Sequence, residues 1–138
     1  MAPIVGTNGP DYLTGTYQND RILGKSGDDY LYGDSGNDKL LGDVGDDYLV
    51  GGYGNDVLTG GAGADTFAFY DVYEGVDTIA DYNAFQDVIE IYTSGFGGAS
   101  PDQFTYDSDT GGLFHDSTQF ATLQPNLDFD PSTDISFI

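Results

Sequence analysis

A nine-residue repeat is the feature that most limits what this chain can fold into. From Gly6 to Ala68 the sequence divides, without insertion, into seven nonapeptides: GTNGPDYLT, GTYQNDRIL, GKSGDDYLY, GDSGNDKLL, GDVGDDYLV, GGYGNDVLT and GGAGADTFA. Position 1 is always glycine, and position 4 is glycine except at Gln18. Position 6 is always aspartate, at Asp11, Asp20, Asp29, Asp38, Asp47, Asp56 and Asp65. Position 8 is always large and apolar, at Leu13, Ile22, Leu31, Leu40, Leu49, Leu58 and Phe67. A fixed short period of this kind predicts a solenoid of stacked coils.

The residue types within each repeat predict its local structure. Glycine recurs where the backbone must turn sharply, so the first six residues are expected to form a turn. The last three residues, with an apolar residue in the middle, are typical of a very short strand whose central side chain points inward. If each nonapeptide makes half a coil, every strand pairs with the strand two repeats away. The predicted fold is therefore all-β: a parallel β-roll of two short-stranded sheets that face each other across the position-8 side chains.

Stacking also brings the aspartates together. One edge of the roll is expected to carry Asp11, Asp29, Asp47 and Asp65, and the other Asp20, Asp38 and Asp56, at a spacing of about 4.8 Å per coil. Two like charges about 5 Å apart repel by roughly 3 kcal/mol at an effective dielectric constant of 20. The roll therefore needs a countercharge. The ligands on offer are carboxylate and carbonyl oxygens, which calcium accepts in flexible geometry, whereas zinc prefers His or Cys.

The composition excludes several classes of function. The formal charge of -21, with only Arg21, Lys25 and Lys39 as basic residues, opposes binding to nucleic acid or anionic lipid. No apolar run reaches the roughly 20 residues needed to span a bilayer, so no membrane insertion is expected. Cysteine is absent, so neither disulfides nor thiolate metal sites are available. Cations are the partners that this composition favours.

The repeats match G-G-x-G-x-D-x-U-x, and the chain thus resembles an RTX, or haemolysin-type calcium-binding, domain. The resemblance implies that position-6 carboxylates of repeats n and n+2 share an ion, at Asp11/Asp29, Asp29/Asp47, Asp47/Asp65, Asp20/Asp38 and Asp38/Asp56. It also implies that turn carbonyls complete the shell, which predicts as ligands Gly24, Ser26, Gly27, Gly33, Ser35, Gly36, Gly42, Val44, Gly45, Gly51, Gly52, Tyr53, Gly54, Gly60, Gly61, Ala62 and Gly63. About five to six calcium ions are expected. Gln18, Pro10 and Ala64 depart from the pattern near its two ends.

Residues 69–138 lose the period and alternate apolar and polar residues in TFAFY, VIEIY, FTY, LFHD, FATL and ISFI, which predicts the strands of a β-rich cap. We thus expect one domain, 1–138, with a roll at 6–68 and a cap at 69–138. GVDTIADYNAFQDVIEI is similar to the stretch that follows the roll in RTX proteins, which implies that Asp77 pairs with Asp56 at a last calcium site. Residues 134–138 resemble the end of a type I secretion signal, which implies a secreted protein. The N-terminus fits a complete small protein and a piece of a larger exoprotein equally.

We therefore expect a secreted calcium-binding module that folds with its ions. The rival interpretation is an extracellular carbohydrate- or surface-binding module that uses Tyr30, Tyr48 or Tyr32, expected to be exposed on the roll. An enzyme is not expected, because the sequence carries no nucleophile motif and His115 beside Asp116 is more typical of a structural histidine. The stretch DSDTGG at 107–112 lacks the bidentate Glu of an EF-hand and predicts a hairpin turn.

Overall fold

The computed structural model describes residues 2–138. The chain winds into a parallel β-solenoid of about five turns with almost no helix. The strands of this part are β1 (Ile4–Val5), β2 (Tyr12–Thr14), β3 (Arg21–Ser26), β4 (Tyr30–Tyr32), β5 (Lys39–Val44), β6 (Tyr48–Val50), β7 (Val57–Ala62), β8 (Thr66–Phe69), β9 (Asp77–Ile79), β10 (Val88–Ile91), β11 (Phe104–Tyr106), β12 (Gly112–His115), β13 (Thr118–Thr122) and β14 (Ile135–Phe137). Single helical turns lie at Thr93–Phe96, Pro101–Gln103 and Pro131–Asp134, and no helix of residues 2–138 is long and apolar enough to cross a membrane.

From β1 to β10, successive strands alternate between two sheets. Sheet A has the order β1-β3-β5-β7-β9-β13-β12-β11, and sheet B has the order β14-β10-β8-β6-β4-β2. Through the repeats all pairs are parallel and each residue lies opposite the residue 18 places further on, as Leu31 lies opposite Leu49 and Leu40 opposite Leu58. The predicted fold class is therefore confirmed, and half a coil per nonapeptide is the correct winding.

The position-8 side chains form the core between the sheets. They are 0–1% exposed from Ile22 to Phe67, whereas Leu13, in the first repeat, is only partly buried. Ile79, Ile89 and Ile135 continue the same column beyond the repeats, because β9, β10 and β14 keep the parallel register. One continuous apolar column thus holds the coils together.

The strands of the two sheets differ in length. In sheet B, β2, β4 and β6 have the predicted three residues, but β3, β5 and β7 of sheet A each have six. The extra pairs come from positions 2 and 3 of the following turn, such as Lys25 opposite Asp43 and Ser26 opposite Val44. The three-residue prediction was therefore wrong for sheet A, where part of the turn itself joins the ladder.

Beyond the repeats, strands lie at all the predicted apolar stretches. β9 and β10 first extend sheets A and B, and β14 then pairs in parallel with β10. β13, β12 and β11 add an antiparallel meander to sheet A, with the predicted hairpin turn between β11 and β12. The division of the chain at residue 68 stays a prediction.

Candidate metal centre

The position-6 aspartates lie in two columns, one along each edge of the roll. From Asp20 to Asp65 they are 1–4% exposed. One carboxylate oxygen, Oδ1, accepts the backbone N–H of the aspartate one coil earlier, so each carboxylate is fixed to the coil below it. These N···O distances lie between 2.7 and 2.9 Å for Asp11 to Asp29, Asp20 to Asp38, Asp29 to Asp47, Asp38 to Asp56 and Asp47 to Asp65.

The other carboxylate oxygen has no protein partner in five of these residues. Oδ2 is buried and makes no hydrogen bond in Asp29, Asp38, Asp47, Asp56 and Asp65. A buried, unpaired carboxylate oxygen is strongly unfavourable unless a cation or a donor compensates it. Each of the five residues therefore needs a cation or a donor at Oδ2, at the same place in five consecutive turns.

The glycine at position 1 provides the space beside that oxygen. A Cβ on Gly24 would lie 2.8 Å from the Gly42 carbonyl oxygen and against Oδ2 of Asp29. A Cβ on Gly33 or on Gly42 would meet the same two kinds of neighbour. These are Oδ2 of the aspartate in its own turn and the position-1 carbonyl oxygen of the next coil. The absent Cβ thus leaves a small, oxygen-lined gap between consecutive turns of one edge.

Asp77 completes such a gap after the repeats. Its Oδ1 accepts the N–H of Asp56 at 3.0 Å. A Cβ on Gly51 would lie 2.7 Å from Oδ2 of Asp77 and against Oδ2 of Asp56. Two carboxylates therefore converge on one point, and Asp77 is only 5% exposed.

Burial changes the acidity of these groups. The pKa of Asp38, Asp47 and Asp65 is raised to about 6, chiefly by desolvation. A backbone hydrogen bond opposes this rise, and the charges of neighbouring aspartates contribute to it. Desolvation, and then the charge of Asp56, raises the pKa of Asp77 to about 9. The columns thus favour either protons or a bound cation at neutral pH.

A family model described as the RTX calcium-binding nonapeptide repeat, in four copies, matches residues 5–40 and 41–69. These residues are RTX calcium-binding repeats. The match spans the seven nonapeptides and both columns of aspartates. RTX repeats bind calcium in general, so calcium is the ion against which the gaps should be tested.

Among solved structures, the chain is similar to two subunits of the mannuronan C5-epimerase of Azotobacter vinelandii, both determined in solution. The AlgE6R3 subunit is 29% identical, with 99% of this chain and 81% of that chain covered and a TM-score of 0.37. The AlgE6R2 subunit is 27% identical, with 99% and 92% covered and a TM-score of 0.37. A comparison with curated protein sequences finds no match.

The RTX turns fit calcium in the kind of donor they present. Among residues 2–138 no three His, Asp or Glu side chains gather into a metal cage of their own. A cation held here would therefore take much of its shell from backbone carbonyls, which is ordinary for calcium and poor for zinc. The predicted position-3 ligands Val44, Tyr53 and Ala62 already accept the position-4 N–H of the previous coil at 2.9 Å, so each has one further lone pair to offer.

Two features of the RTX turns were missed at the sequence level. Oδ1 of Asp87 accepts the N–H of Asp65 at 3.0 Å and so continues the other column, 22 residues on. Its Asp87-Val88-Ile89 sequence repeats the aspartate-x-apolar pattern of positions 6 to 8, which was the available signal. The side chains at position 5 form a second ladder of hydrogen bonds between coils. Asn37 Oδ1 accepts the backbone N–H of Asn55 at 2.9 Å, and Asp28 Oδ1 accepts the backbone N–H of Asp46 at 2.8 Å.

The tyrosines of sheet B do not form the open surface that was expected. The rings of Tyr12, Tyr30 and Tyr48 stack face to face, with centroids 4.7 and 5.2 Å apart. The Tyr30 hydroxyl lies 3.1 Å from that of Tyr70, and the Tyr48 hydroxyl donates to Glu90. Tyr30, Tyr32 and Tyr48 are half-buried rather than exposed. Stacking thus covers ring faces of Tyr30 and Tyr48, and hydrogen bonds engage their two hydroxyls, which leaves these two residues less available to a sugar.

Proposed function

We propose that this chain is an extracellular calcium-binding module whose roll folds only when its ions are bound. The observation that carries the proposal is the set of five buried aspartates that each keep one unpartnered oxygen. Calcium between consecutive turns would compensate these oxygens and the repulsion along each edge. The five ions would be held by Asp29, Asp38, Asp47, Asp56 and Asp65, together with position-1 carbonyls of the next coil and, after the repeats, Asp77.

The coupling of folding to calcium follows from the size of the electrostatic penalty. Each column repeats a carboxylate at every coil, and each neighbouring pair repels by roughly 3 kcal/mol at an effective dielectric constant of 20. A small domain has only about 5 to 15 kcal/mol of net stability. Without calcium, this repulsion opposes closure of the roll, and binding free energy becomes folding free energy.

An extracellular setting supplies the ion that this chemistry requires. RTX repeat domains are typically extracellular or secreted, and extracellular calcium modules work at about 10⁻⁴ to 10⁻³ M dissociation constants. We infer that the chain leaves the cell unfolded, by a type I route with residues 134–138 in its signal, and folds outside. In this proposal residues 6–68 are the calcium roll, 69–138 are its cap, and the role is structural rather than catalytic.

Circular dichroism of the purified chain tests the proposal directly. We expect little β signal in EDTA and a full β spectrum in millimolar calcium, with magnesium at the same concentration ineffective because it sheds water reluctantly. Isothermal titration calorimetry is expected to count about five ions. An unchanged β spectrum on chelation would refute calcium-coupled folding.

A second candidate, binding to an acidic polysaccharide or cell surface, is favoured by one other observation. Arg21 and Lys39 lie directly opposite each other in sheet A and are exposed. Neither forms an ion pair within residues 2–138, although the chain carries 24 acidic residues. Like charges placed opposite each other on a sheet are destabilising, so an anionic group of a partner would relieve them. Leu23, Leu41, Val57 and Thr59 line the groove beside them.

Retention of the calcium-loaded chain on an acidic polysaccharide column tests this second candidate. The double variant R21Q/K39Q is expected to elute at lower salt than the wild type. K25Q, which removes a charge from the same sheet where Lys25 lies opposite Asp43, is the control. Elution of all three proteins in the void volume would reject this surface as a binding site.

A further inference from the structure

The seven position-6 carboxylates fall into two classes. In the first two repeats Oδ2 has local partners within its own turn. Thr7 donates to Asp11 Oδ2 from its N–H at 2.6 Å and from its hydroxyl at 3.0 Å. Thr16 donates to Asp20 Oδ2 in the same way, at 2.6 and 2.9 Å. In these turns the position-2 residue compensates the oxygen that the later turns leave unpartnered.

The later five repeats differ at the same position of the turn. Their position-2 residues take a left-handed backbone, with φ between 77° and 99°, and comprise Lys25, Asp34, Asp43, Gly52 and Gly61. Thr7 and Thr16 are absent from the left-handed residues of the chain. The five turns with a left-handed residue at position 2 are therefore the same five turns in which Oδ2 has no partner.

The side chain at position 2 gives the physical reason. A β-branched residue is strongly disfavoured in the left-handed region, where glycine is at ease. Threonine therefore holds the ordinary conformation, in which its N–H and its hydroxyl both reach the carboxylate four residues later. The N–H part of this arrangement recurs after the repeats, where Asn83 donates to Asp87 Oδ2 at 2.8 Å.

We propose that the residue at position 2 decides whether an RTX turn of this chain takes calcium. Thr7 and Thr16 replace the ion at Asp11 and Asp20 with hydrogen-bond donors, so these two carboxylates, although they match the repeat, bind none. The ions are confined to the turns of Asp29, Asp38, Asp47, Asp56 and Asp65. Asp20 Oδ1 is also unpartnered, but it is Oδ1 with which Asp38 and Asp56 accept an N–H from the preceding coil, and Oδ2 that lies beside the position-1 glycine. This inference rests on the proposed function.

Counting bound calcium by native mass spectrometry tests the inference with matched variants. D20N is expected to keep the wild-type number of ions, whereas D38N, on the same edge one coil later, is expected to lose one. Loss of an ion from D20N would overturn the inference while leaving the proposed function intact. A wild-type chain that binds no calcium would instead end the proposed function, and this inference with it.

Exchange of position 2 provides the second test. K25T places a threonine in the third turn and is expected to lose one ion, whereas K25G, with the left-handed turn preserved, is expected to keep them all. Circular dichroism in saturating calcium separates local from global effects, since K25T is expected to retain the β spectrum of K25G. Equal ion counts in the two folded variants would overturn the selection by position 2.

Discussion

Asp77 accepts a hydrogen bond from the backbone of Asp56 although 21 residues separate them, where the repeats use 18. The three extra residues lie in the loop before β9, so the column of carboxylates continues after the nonapeptide period has ended. The last pair of this edge brings two carboxylates together, because both Oδ2 atoms converge beside Gly51.

Removal of one of these two charges is expected to have opposite effects with and without calcium. Without calcium the folded roll must either protonate Asp77 or bury its charge beside Asp56, since burial raises its pKa to about 9. D77N removes this penalty and so is expected to increase the residual β signal in EDTA. It also removes a calcium ligand, so the calcium concentration for half-maximal folding is expected to rise by about tenfold, which corresponds to about 1.4 kcal/mol. Calcium titrations followed by circular dichroism measure both. D109N, in the exposed β11–β12 turn, is the control, and an equal response of the two variants would contradict the assignment.

The stability of the calcium-free roll is expected to depend on pH. An aspartate in the unfolded chain titrates near pH 4, roughly its unperturbed value, whereas burial raises the pKa of Asp38, Asp47 and Asp65 to about 6. Because the folded pKa is higher, the folded roll binds more protons, and its stability falls as pH rises through this window. In EDTA the β signal is therefore expected to be larger at about pH 5 than at about pH 7.5. The opposite order would show that these carboxylates are not desolvated in the folded state.

Truncation of a side chain in the apolar column is expected to destabilise the roll without removing a carboxylate. Leu49 is fully buried between Leu31 and Phe67, so L49A should reduce the free energy of unfolding in calcium by about 2 to 5 kcal/mol. L13A, at the partly buried end of the same column, is expected to lose clearly less. Urea unfolding in saturating calcium measures both values. Similar losses would mean that the column is not the common core of the coils.

The tyrosine contacts are expected to tie the cap to sheet B. Y48F removes the donor to Glu90 and leaves that half-buried carboxylate without it, at a cost of about 1 to 3 kcal/mol. Burial, and then the hydrogen bond to Glu90, raise the pKa of the Tyr48 hydroxyl, so it remains a donor at neutral pH. Y12F, at a ring that is 70% exposed, should be nearly neutral. Urea unfolding of both variants in calcium is the measurement, and equal stability would exclude a clamp by Glu90.

The sequence predicted what the period controls and missed what depends on long-range contact. Regular spacing was sufficient to assign the inward side of Leu40 and Leu58 and the shared edge of Asp38 and Asp56, because 18 residues return the chain to the same place. It could not place Asp87, since four extra residues shift it from that spacing. Neither could it foresee that Tyr48 meets Glu90, which is 42 residues away.

The difference between Thr16 and Lys25 at position 2 is visible in the sequence, but its consequence is not. Both repeats have Gly at position 1 and Asp at position 6, so the repeat pattern does not distinguish them. The backbone conformation at position 2 distinguishes them only when φ is known, since both residues are polar and exposed in a turn. The repeat period identifies equivalent positions, whereas the backbone conformation at position 2 determines which of the equivalent aspartates keep an unpartnered oxygen.

Sheet A ends in an antiparallel meander rather than in another strand of the nonapeptide repeat. A repeat strand left at that edge would offer a second molecule a ready template, and identical molecules could then join into filaments. In the meander β13 runs in the direction of the coils, β12 runs against it, and the edge strand β11 runs with the coils again but lies outside the repeats. A second roll therefore meets no copy of its own repeat at this edge, which limits end-to-end polymerisation.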